Sequence, residues 1–335
     1  MPPTVEFMDG GELGQSVGLW DFASVSPSTG AVAAGFSGEY YYARSGGYCQ
    51  KVVTARDSYY MGVRIKNEGW IFNIYGNNTG GSYYYLCKLQ NEGNRLHYYA
   101  PGGVDSYSTY ITDGSVMRVE MYVLRNTYTP ATPYGAGTPN SDGVVIVKVN
   151  GVIIMNLTGI RSVGYNYPMT LWMVAGEWAT WDDAILTVDD WPGNVRIQGG
   201  VPNEAGSSTE WDPSTGNNFE CVNEVPPSDT DFNSTNVSDE LDMYGMTPLV
   251  ETYPIESILG IQLSARAKLE ETATPKDLQL AILSGATYDY SSNKQVEDDT
   301  YKWPSQVWSL NPATGKPFTP AEINSLQIGI KSKTR

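Results

Sequence analysis

One histidine and a few clustered acidic residues are the side chains that could perform acid–base or nucleophilic chemistry in this chain. Among 335 residues the only histidine is His97, which stands in an alternating Arg-Leu-His-Tyr-Tyr run typical of a strand. A Ser–His–Asp or Cys–His site would have to use it, and no Gly-x-Ser-x-Gly motif supplies a nucleophile. The sequence contains no phosphate-binding loop or dinucleotide fingerprint. We therefore predict no catalytic residue and no cofactor.

Three acidic residues form the best candidate for a catalytic pair. Glu177, Asp182 and Asp183 lie in one short segment that also contains Trp178 and Trp181. A β-sandwich glycosidase needs two carboxyl groups flanking a sugar bond, so Glu177 with Asp182 or Asp183 is one hypothesis. The alternative is structural, because acidic residues at turns bond the nearby backbone. In that case Asp182-Asp183 is a turn that opens the next strand.

A second acidic segment resembles a calcium-binding loop. The residues that match its ligand positions 1, 3, 5 and 12 are Asp229, Asp231, Asn233 and Glu240. The loop's sharp turn needs glycine where this chain has Ser234, and Pro226-Pro227 excludes the entering helix. A polar loop of Asx turns explains the same residues, so we predict no metal site and keep these four as a candidate only.

The elements that must position these residues are short strands. Apolar residues recur with a period of two, and Gly, Asn and Asp clusters separate the runs. Asn150-Gly151 lies between the β-branched runs 144–149 and 152–157 and predicts a type I′ hairpin, since both turn residues need positive φ. The one short helix predicted begins at Thr319-Pro320, with Glu322 completing a capping box.

The amino-acid composition changes near residue 190, and this change divides the chain into two parts. Residues 195–198 fit a linking strand, and residues 199–240 are rich in Pro, Ser, Thr, Asn and Asp. Strand-like alternation returns over residues 259–269, 278–283 and 326–330. We predict an all-β protein of two antiparallel, jelly-roll-like β-sandwich domains with little helix. The first spans residues 1–193, and the second spans residues 194–335 with a long irregular segment at 199–240.

Clustered tyrosines point to surface contacts. Consecutive strand residues face opposite sides, so at least one tyrosine of each cluster must point outward. Tyrosine offers rigid contact area with a polar tip, which suits protein interfaces and sugar stacking. The alternative is that tyrosine simply favours strands. The contact candidates, one from each cluster, are Tyr41, Tyr60, Tyr84 and Tyr99.

The net charge and the cysteines indicate which classes of partner and which cellular compartment to expect. The formal charge of −16 disfavours nucleic acid, because phosphate binding depends on Lys and Arg, and every apolar run is too short for a membrane helix. Cys49, Cys87 and Cys221 are widely spaced and odd in number, so we expect buried, reduced thiols. With no signal-peptide pattern at the start, we expect synthesis in the cytoplasm.

Two stretches resemble a known group of proteins. Leu19-Trp20-Asp21, Val149-Asn150-Gly151 and the run from Trp191 to Asn194 resemble the laminin-G-like, concanavalin-type jelly rolls of phage structural proteins. The stretch 202–227 is similar to a segment that recurs in virion-associated proteins of tailed bacteriophages. The resemblance implies a virion protein assembled in the bacterial cytoplasm, with other virion proteins as partners, and transfers no catalytic residue.

Together these observations predict a non-enzymatic bacteriophage virion structural protein on the particle surface, in several copies. It would be a capsid decoration protein or a tail-associated adhesion protein. The alternatives are a lectin-like module that binds host glycans and a glycosidase that uses Glu177 with Asp182 or Asp183. Fold alone does not distinguish them.

Overall fold

Short antiparallel strands separated by turns make up almost all of the computed structural model. It describes residues 3–9, 22–23, 26–28, 40–42, 49–66, 69–77, 82–111, 115–129, 137–174, 180–225, 227–249, 254–270, 277–296 and 299–334. The chain divides into two compact units, Pro3–Ile197 and Gln198–Arg335. The predicted all-β, antiparallel, jelly-roll-like class with little helix is confirmed.

The first unit contains two large sheets. The eight-stranded sheet pairs its strands in the order β15 (Val152–Ile160), β14 (Gly143–Val149), β11 (Met117–Leu124), β6 (Ser58–Lys66), β17 (Thr180–Thr187), β4 (Tyr40–Tyr42) and β3 (Ser26–Ser28), with β1 (Val5–Asp9) also paired to β17. The seven-stranded sheet has the order β10 (Asp105–Tyr110), β9 (Arg95–Tyr99), β8 (Tyr83–Glu92), β7 (Gly69–Asn77), β16 (Met169–Val174), β5 (Cys49–Arg56) and β2 (Phe22–Ala23). A small hairpin joins β12 (Tyr128–Thr129) to β13 (Thr138–Pro139).

The core of this unit follows directly from the period-two pattern. On β6 and β11 the alternate residues that pair across the strands are buried apolar side chains: Tyr59, Met61, Val63 and Ile65 on one strand, and Met117, Val119, Met121 and Val123 on the other. They join one apolar cluster with residues of the seven-stranded sheet, including Phe72, Leu89 and Trp172. Burying apolar surface of this kind is the main favourable contribution to folding.

Two local predictions are confirmed at residue level. Asn150 and Gly151 both have positive φ, 49° and 81°, and join β14 to β15 as a tight hairpin. The helix α1 (Pro320–Asn324) begins after Thr319, whose side chain accepts the Glu322 backbone N–H while the Glu322 carboxylate accepts the Thr319 N–H. Both features depend only on neighbouring residues, so sequence alone specifies them.

A buried polar network lies on the outer face of the eight-stranded sheet. Arg64 Nε donates to Asp183 Oδ2 at 2.9 Å, and Arg118 Nη1 donates to the Asp183 carbonyl at 2.7 Å. Asp183 is fully buried and has φ 51°, at the bulge where β17 shifts register against β6. Burial lowers the pKa of Arg118 to about 10, which leaves its guanidinium charged at neutral pH. The predicted turn at Asp182-Asp183 is therefore a bulge inside a strand.

This network holds the segment 190–197, which we call the strap. Arg64 donates to Asn194 Oδ1 and the Val195 carbonyl, both at 3.1 Å, and the Ile197 N–H donates to Asp183 Oδ1 at 2.8 Å. Gly62 leaves the space for this packing, because a Cβ there would lie 2.2 Å from Arg118 Nη2. Residues 195–198 thus form no strand, contrary to expectation, since their backbone bonds side chains of the sheet.

The second unit is built on a six-stranded sheet. Its strands are β18 (Pro202–Thr209), β21 (Leu241–Met246), β27 (Gln327–Lys333), β23 (Asp277–Ser284) and β24 (Thr287–Tyr290), with β25 (Lys294–Gln295) also on β23. Two small pairs are β19 (Asp212–Pro213) with β20 (Asn233–Ser234), and β22 (Ile261–Ser264) with β26 (Ser305–Trp308). The segment 199–240 contains β18, β19, β20 and a 3-10 helix, Asn218–Val222. Buried Asp242 organises it by accepting Asn218 Nδ2 at 2.7 Å and the Tyr244 hydroxyl at 2.9 Å.

Two further observations concern the cysteines and the helices. Cys49, Cys87 and Cys221 are all buried and free of disulfides, as expected from their spacing. Burial raises the pKa of the Cys87 thiol to about 12, so it is an unreactive thiol at neutral pH. In the described part of the chain, no helix has the length and apolar character needed to cross a membrane.

The buried network predicts a large effect of one isosteric change. Asp183→Asn keeps the positive-φ geometry, which asparagine tolerates, and the carbonyl that Arg118 bonds, but leaves Arg64 without its buried counter-charge. We expect the free energy of unfolding to fall by about 3–5 kcal/mol, measured by urea denaturation. The control is Asp57→Asn, which removes an exposed ion pair with Arg125 and should cost at most about 1 kcal/mol. Equal effects of the two substitutions would contradict the role of Asp183.

Candidate functional site

Four adjacent strands bring aromatic and polar side chains together on the outer face of the seven-stranded sheet. Side chains that are paired across strands share a face, so the register of β7, β8, β9 and β10 sets this surface. The rows, read across the strands, are Tyr75 with Tyr85; Asn73 with Lys88, Tyr99 and Asp105; and Trp70 with Gln90, His97 and Tyr107. The alternate residues, such as Ile74, Leu89 and Tyr98, point into the core.

Six of these residues line a pocket of about 380 Å³, which we call the aromatic groove: Trp70, Asn73, Tyr75, Tyr85, Lys88 and Tyr99. The Tyr75 and Tyr85 ring centroids are 5.5 Å apart. The Tyr85 and Tyr99 rings are nearly parallel, with centroids 6.4 Å apart. Aromatic walls with a few convergent polar groups are typical of small-molecule and sugar sites.

Lys88 supplies the positive charge of the groove. Its ammonium lies 5.8 Å from the centroid of the Tyr99 ring. Within the ranges given above, no carboxylate lies within ion-pair distance of that ammonium, whereas Lys331 and Lys333 both pair with Asp239. A cation held among aromatic rings without a counter-ion favours binding of an anionic group.

Two polar atoms of the groove have no hydrogen-bond partner among the residues that the structure describes. Asn73 is only 6% exposed, and its Oδ1 has no hydrogen-bond partner among the described residues. The Tyr85 hydroxyl is likewise buried and unpartnered within the same ranges. Burial raises the Tyr85 pKa far above its usual value, and the nearby Cys87, Tyr75 and Tyr99 side chains add to the shift. Tyr85 is therefore a protonated hydrogen-bond donor at neutral pH.

His97 anchors the edge of the groove. Its Nε2 lies 2.7 Å from Asp105 Oδ1, and its Nδ1 lies 3.3 Å from Gln90 Nε2 and 3.2 Å from Glu92 Oε2. The Tyr107 ring stacks on the imidazole with centroids 4.2 Å apart. These contacts cover both ring nitrogens and one ring face, so His97 fixes strand β10 beside the groove and is not a free base.

The four predicted contact tyrosines do not form one surface. Tyr99 lines the aromatic groove, whereas Tyr60 lies on the eight-stranded sheet, stacked on Tyr122 with centroids 4.4 Å apart. Tyr84 stacks on Tyr167 at 4.6 Å and packs against the core, and the side chain of Tyr41 lies outside the described residues. Tyr85 faces outward in place of Tyr84, because a register shift between Ile74 and Tyr75 accompanies their pairing to β8. The wider contact role of the four tyrosines stays a prediction.

The predicted acidic pair is not at this site. Glu177 lies outside the described residues, and Asp182 and Asp183 are fully buried on β17. Asp183 is engaged by Arg64 and by the strap, and Asp182 accepts the Asp183 N–H at 2.7 Å. Neither carboxylate reaches a substrate in this position.

The calcium-loop residues bind different partners. Asp229 pairs with Arg266, and Glu240 accepts the Thr235 hydroxyl. Asn233 Nδ2 donates to the Asn218 carbonyl at 2.8 Å and to the Tyr244 hydroxyl at 2.9 Å. Where the chain is described, no three His, Cys, Asp or Glu side chains are close enough to hold a metal ion. The calcium candidate of Asp229, Asp231, Asn233 and Glu240 remains a sequence prediction.

Sequence reasoning missed Asn73, Tyr85 and Lys88 as one site. Alternation indicates one shared face for Lys88 and Gln90, but it places Tyr85 on the opposite face, and the register shift between Ile74 and Tyr75 brings Tyr85 to the side of Lys88. Their meeting with Asn73 and Tyr99 depends on cross-strand register, which a single sequence does not specify.

Comparisons with known proteins give matches only among solved structures. No protein-family model matches the chain, and no curated protein matches it. A glucuronan lyase from the fungus Trichoderma reesei is 11% identical, with 55% of this chain and 96% of that chain covered and a TM-score of 0.37. An alginate lyase from Chlorella virus is 12% identical, with 55% and 99% covered and a TM-score of 0.38.

A third match comes from a bacteriophage. A carbohydrate esterase of the Shiga toxin-encoding bacteriophage phi24B is 11% identical, with 56% of this chain and all of that chain covered (100%) and a TM-score of 0.38. These matches contradict two predictions, the non-enzymatic virion structural protein and the absence of enzymatic activity. Both predictions were wrong: they rested on the single histidine, on the missing nucleophile motif and on the phage resemblance, and none of these excludes acid–base chemistry by other side chains. The predicted β-sandwich, jelly-roll-like fold is not contradicted by these matches.

Proposed function

We propose that the protein is a carbohydrate-active enzyme that binds and cleaves a carboxylate-bearing polysaccharide in the aromatic groove. The observation that carries this proposal is the Lys88 ammonium near the Tyr99 ring, in a groove also lined by Tyr85 and Asn73. Among the described residues this ammonium has no carboxylate partner, and the buried Asn73 Oδ1 has no hydrogen-bond partner. Leaving buried polar groups unsatisfied costs about 1–3 kcal/mol each, and a ligand that bonds them recovers that cost.

Each part of such a ligand has a counterpart in the groove. Sugar rings present C–H faces that stack on aromatic side chains, and Trp70 and Tyr75 offer such surfaces. A uronate carboxylate would pair with the Lys88 ammonium, and the Asn73 amide would bond a neighbouring hydroxyl. The net charge of −16 repels a polyanion at long range, so recognition depends on these local contacts.

The same residues support cleavage by elimination. Pairing of the carboxylate with Lys88 makes the adjacent C5 hydrogen more acidic. In our assignment Tyr99 first releases its hydroxyl proton to water and reacts as the phenolate, which accepts the C5 proton. The C4–O4 bond breaks, a C4–C5 double bond forms, and Tyr85 donates its proton to the departing O4. Water then returns a proton to Tyr85 and takes one from Tyr99, which restores both side chains. The raised pKa of Tyr85 keeps it in the donating form, and its ring lies 6.4 Å from that of Tyr99, whose ring is also near the Lys88 ammonium.

Removing the charge of Lys88 should weaken binding while preserving the fold. For Lys88→Gln we expect a Kd for uronate oligosaccharides about 10- to 100-fold higher, because hydrogen bonds to charged groups contribute about 1.5–3 kcal/mol. Isothermal titration calorimetry measures this change. Lys316→Gln, which neutralises an exposed lysine of the second unit, is the matched control and should leave Kd unchanged. An unaltered Kd in Lys88→Gln would contradict the proposal.

Removing one hydroxyl should separate binding from cleavage. Tyr85→Phe keeps the stacking ring but removes the proton donor, so we expect kcat to fall roughly 100-fold or more while Kd changes little. The ultraviolet absorbance of the conjugated double bond follows the reaction. Tyr288→Phe, on an exposed tyrosine of the second unit, is the control. Full activity of Tyr85→Phe would exclude its role as the acid.

The Asn73 side chain predicts that one substitution has opposite effects on stability and on ligand affinity. Asn73→Leu removes a buried Oδ1 that has no hydrogen-bond partner in the described part of the chain, so the free energy of unfolding should rise by about 1 kcal/mol while ligand affinity falls. Asn126→Leu is the matched control. Its buried amide bonds the Val163 N–H at 3.0 Å and the Thr127 carbonyl at 3.3 Å, so that change should destabilise by about 1–3 kcal/mol. Destabilisation by both would show that Asn73 is structural.

A further inference from the structure

A second row of side chains continues from the aromatic groove towards strand β10. Trp70, which lines the groove, is in register with Gln90, His97 and Tyr107 on the next three strands. We call these four residues the outer row. The His97 imidazole lies 6.3 Å from the ring of Tyr99, another groove residue, measured between centroids. Two strand positions, about 7 Å, separate the outer row from the row of Tyr99, a step on the scale of one sugar residue.

Tyr107 presents a flat aromatic surface at the end of the outer row. One face of its ring lies on the His97 imidazole, with centroids 4.2 Å apart and planes inclined by 11°. Its hydroxyl donates to Glu92 Oε2 at 3.2 Å. The residue is nevertheless 51% exposed, so the ring face turned away from His97 is the accessible one. A ring that is already held in place loses little freedom when the C–H face of a sugar packs on it.

The charges of the outer row differ from the charge of the groove. Asp105 and Glu92 lie 2.7 Å and 3.2 Å from the two ring nitrogens of His97, and their side chains are 63% and 42% exposed. Arg95 is paired across from Glu92. The total charge of these four side chains is negative with a neutral imidazole and zero with a protonated one, whereas Lys88 brings a positive charge to the groove. Sugar hydroxyls can donate to the exposed carboxylates, but a carboxylate of the ligand would be repelled by them.

We infer that the outer row is a second sugar subsite of the aromatic groove and that it takes an uncharged sugar residue beside the uronate. This inference rests on the proposed function and adds the composition of the substrate, in which uronates are linked to neutral sugars. The Lys88 ammonium holds the uronate carboxylate, Tyr107 packs on the ring of the neighbouring sugar, and Asp105 accepts one of its hydroxyls. A second uronate at this position is disfavoured by Asp105 and Glu92.

Two oligosaccharides of equal length test the inference. One consists of uronates alone, and the other alternates uronates with neutral hexoses. Calorimetric titration of the full-length protein gives a Kd for each, in about 0.15 M salt, which screens charges beyond about 8 Å. We expect the alternating oligosaccharide to bind about tenfold more tightly. Equal or tighter binding of the all-uronate oligosaccharide would overturn the inference and leave the proposed function intact, whereas binding of neither would overturn both.

An isosteric change separates this preference from damage to the fold. Asp105→Asn keeps an oxygen that can accept from His97 Nε2 but removes the charge, so the all-uronate oligosaccharide should bind about 2- to 5-fold more tightly. A gain in affinity does not arise from misfolding. Asp57→Asn is the matched control, because it removes an exposed charge that pairs with Arg125, and it should leave both Kd values unchanged. The inference is overturned if Asp105→Asn brings no gain, or if Asp57→Asn brings the same gain.

Removing the aromatic ring tests the stacking surface. Tyr107→Ala should raise the Kd of the alternating oligosaccharide about 3- to 10-fold and change the Kd of the all-uronate one less than about twofold, so the preference between them falls. Tyr288→Ala removes an exposed tyrosine of the second unit and should change neither value. A preference that is unaltered in Tyr107→Ala would also overturn the inference.

Discussion

The buried ion pair between Arg64 and Asp183, with Arg118 beside it, is the constraint on which the first unit depends. Charged groups leave water at a high cost, which ion pairs and hydrogen bonds inside the protein offset. Here the partners include backbone atoms of the strap, so the strap must lie across the sheet for the charges to be satisfied. The Glu120 carboxylate completes the arrangement by accepting the Gly193 N–H at 2.8 Å.

The two outer faces of the first unit are therefore used differently. On the eight-stranded sheet, polar residues are covered by the strap, and Trp191 lies edge-on to Tyr60 with Lys148 on its ring face at 3.7 Å. On the seven-stranded sheet, polar and aromatic residues line the groove. Ion pairs and hydrogen bonds hold the strap on the first face, whereas on the second the Asn73 Oδ1 and the Tyr85 hydroxyl have no partner among the described residues. A rigid scaffold beneath an open polar surface is what a binding site needs.

Local features were predictable from sequence, and long-range ones were not. The hairpin at Asn150-Gly151 and the cap at Thr319 follow from the conformational preferences of adjacent residues. The groove instead needs four strands in one register, and the bulge near Tyr75 exchanges which tyrosine of the Tyr83–Tyr85 cluster faces solvent. Asp183 appeared as a turn residue because its positive φ is a local property, whereas its pairing with Arg64 joins residues far apart in sequence.

The lone histidine has a consequence for how this protein can be observed. His97 is the only imidazole in the chain, and it lies one side-chain row from Lys88 on the neighbouring strand. Its two ring nitrogens contact Asp105, Gln90 and Glu92, and its face contacts Tyr107. In a proton magnetic resonance spectrum the chain therefore has one set of imidazole signals, all from His97. If the groove binds a ligand as we propose, those signals report its binding without resonance assignment between histidines.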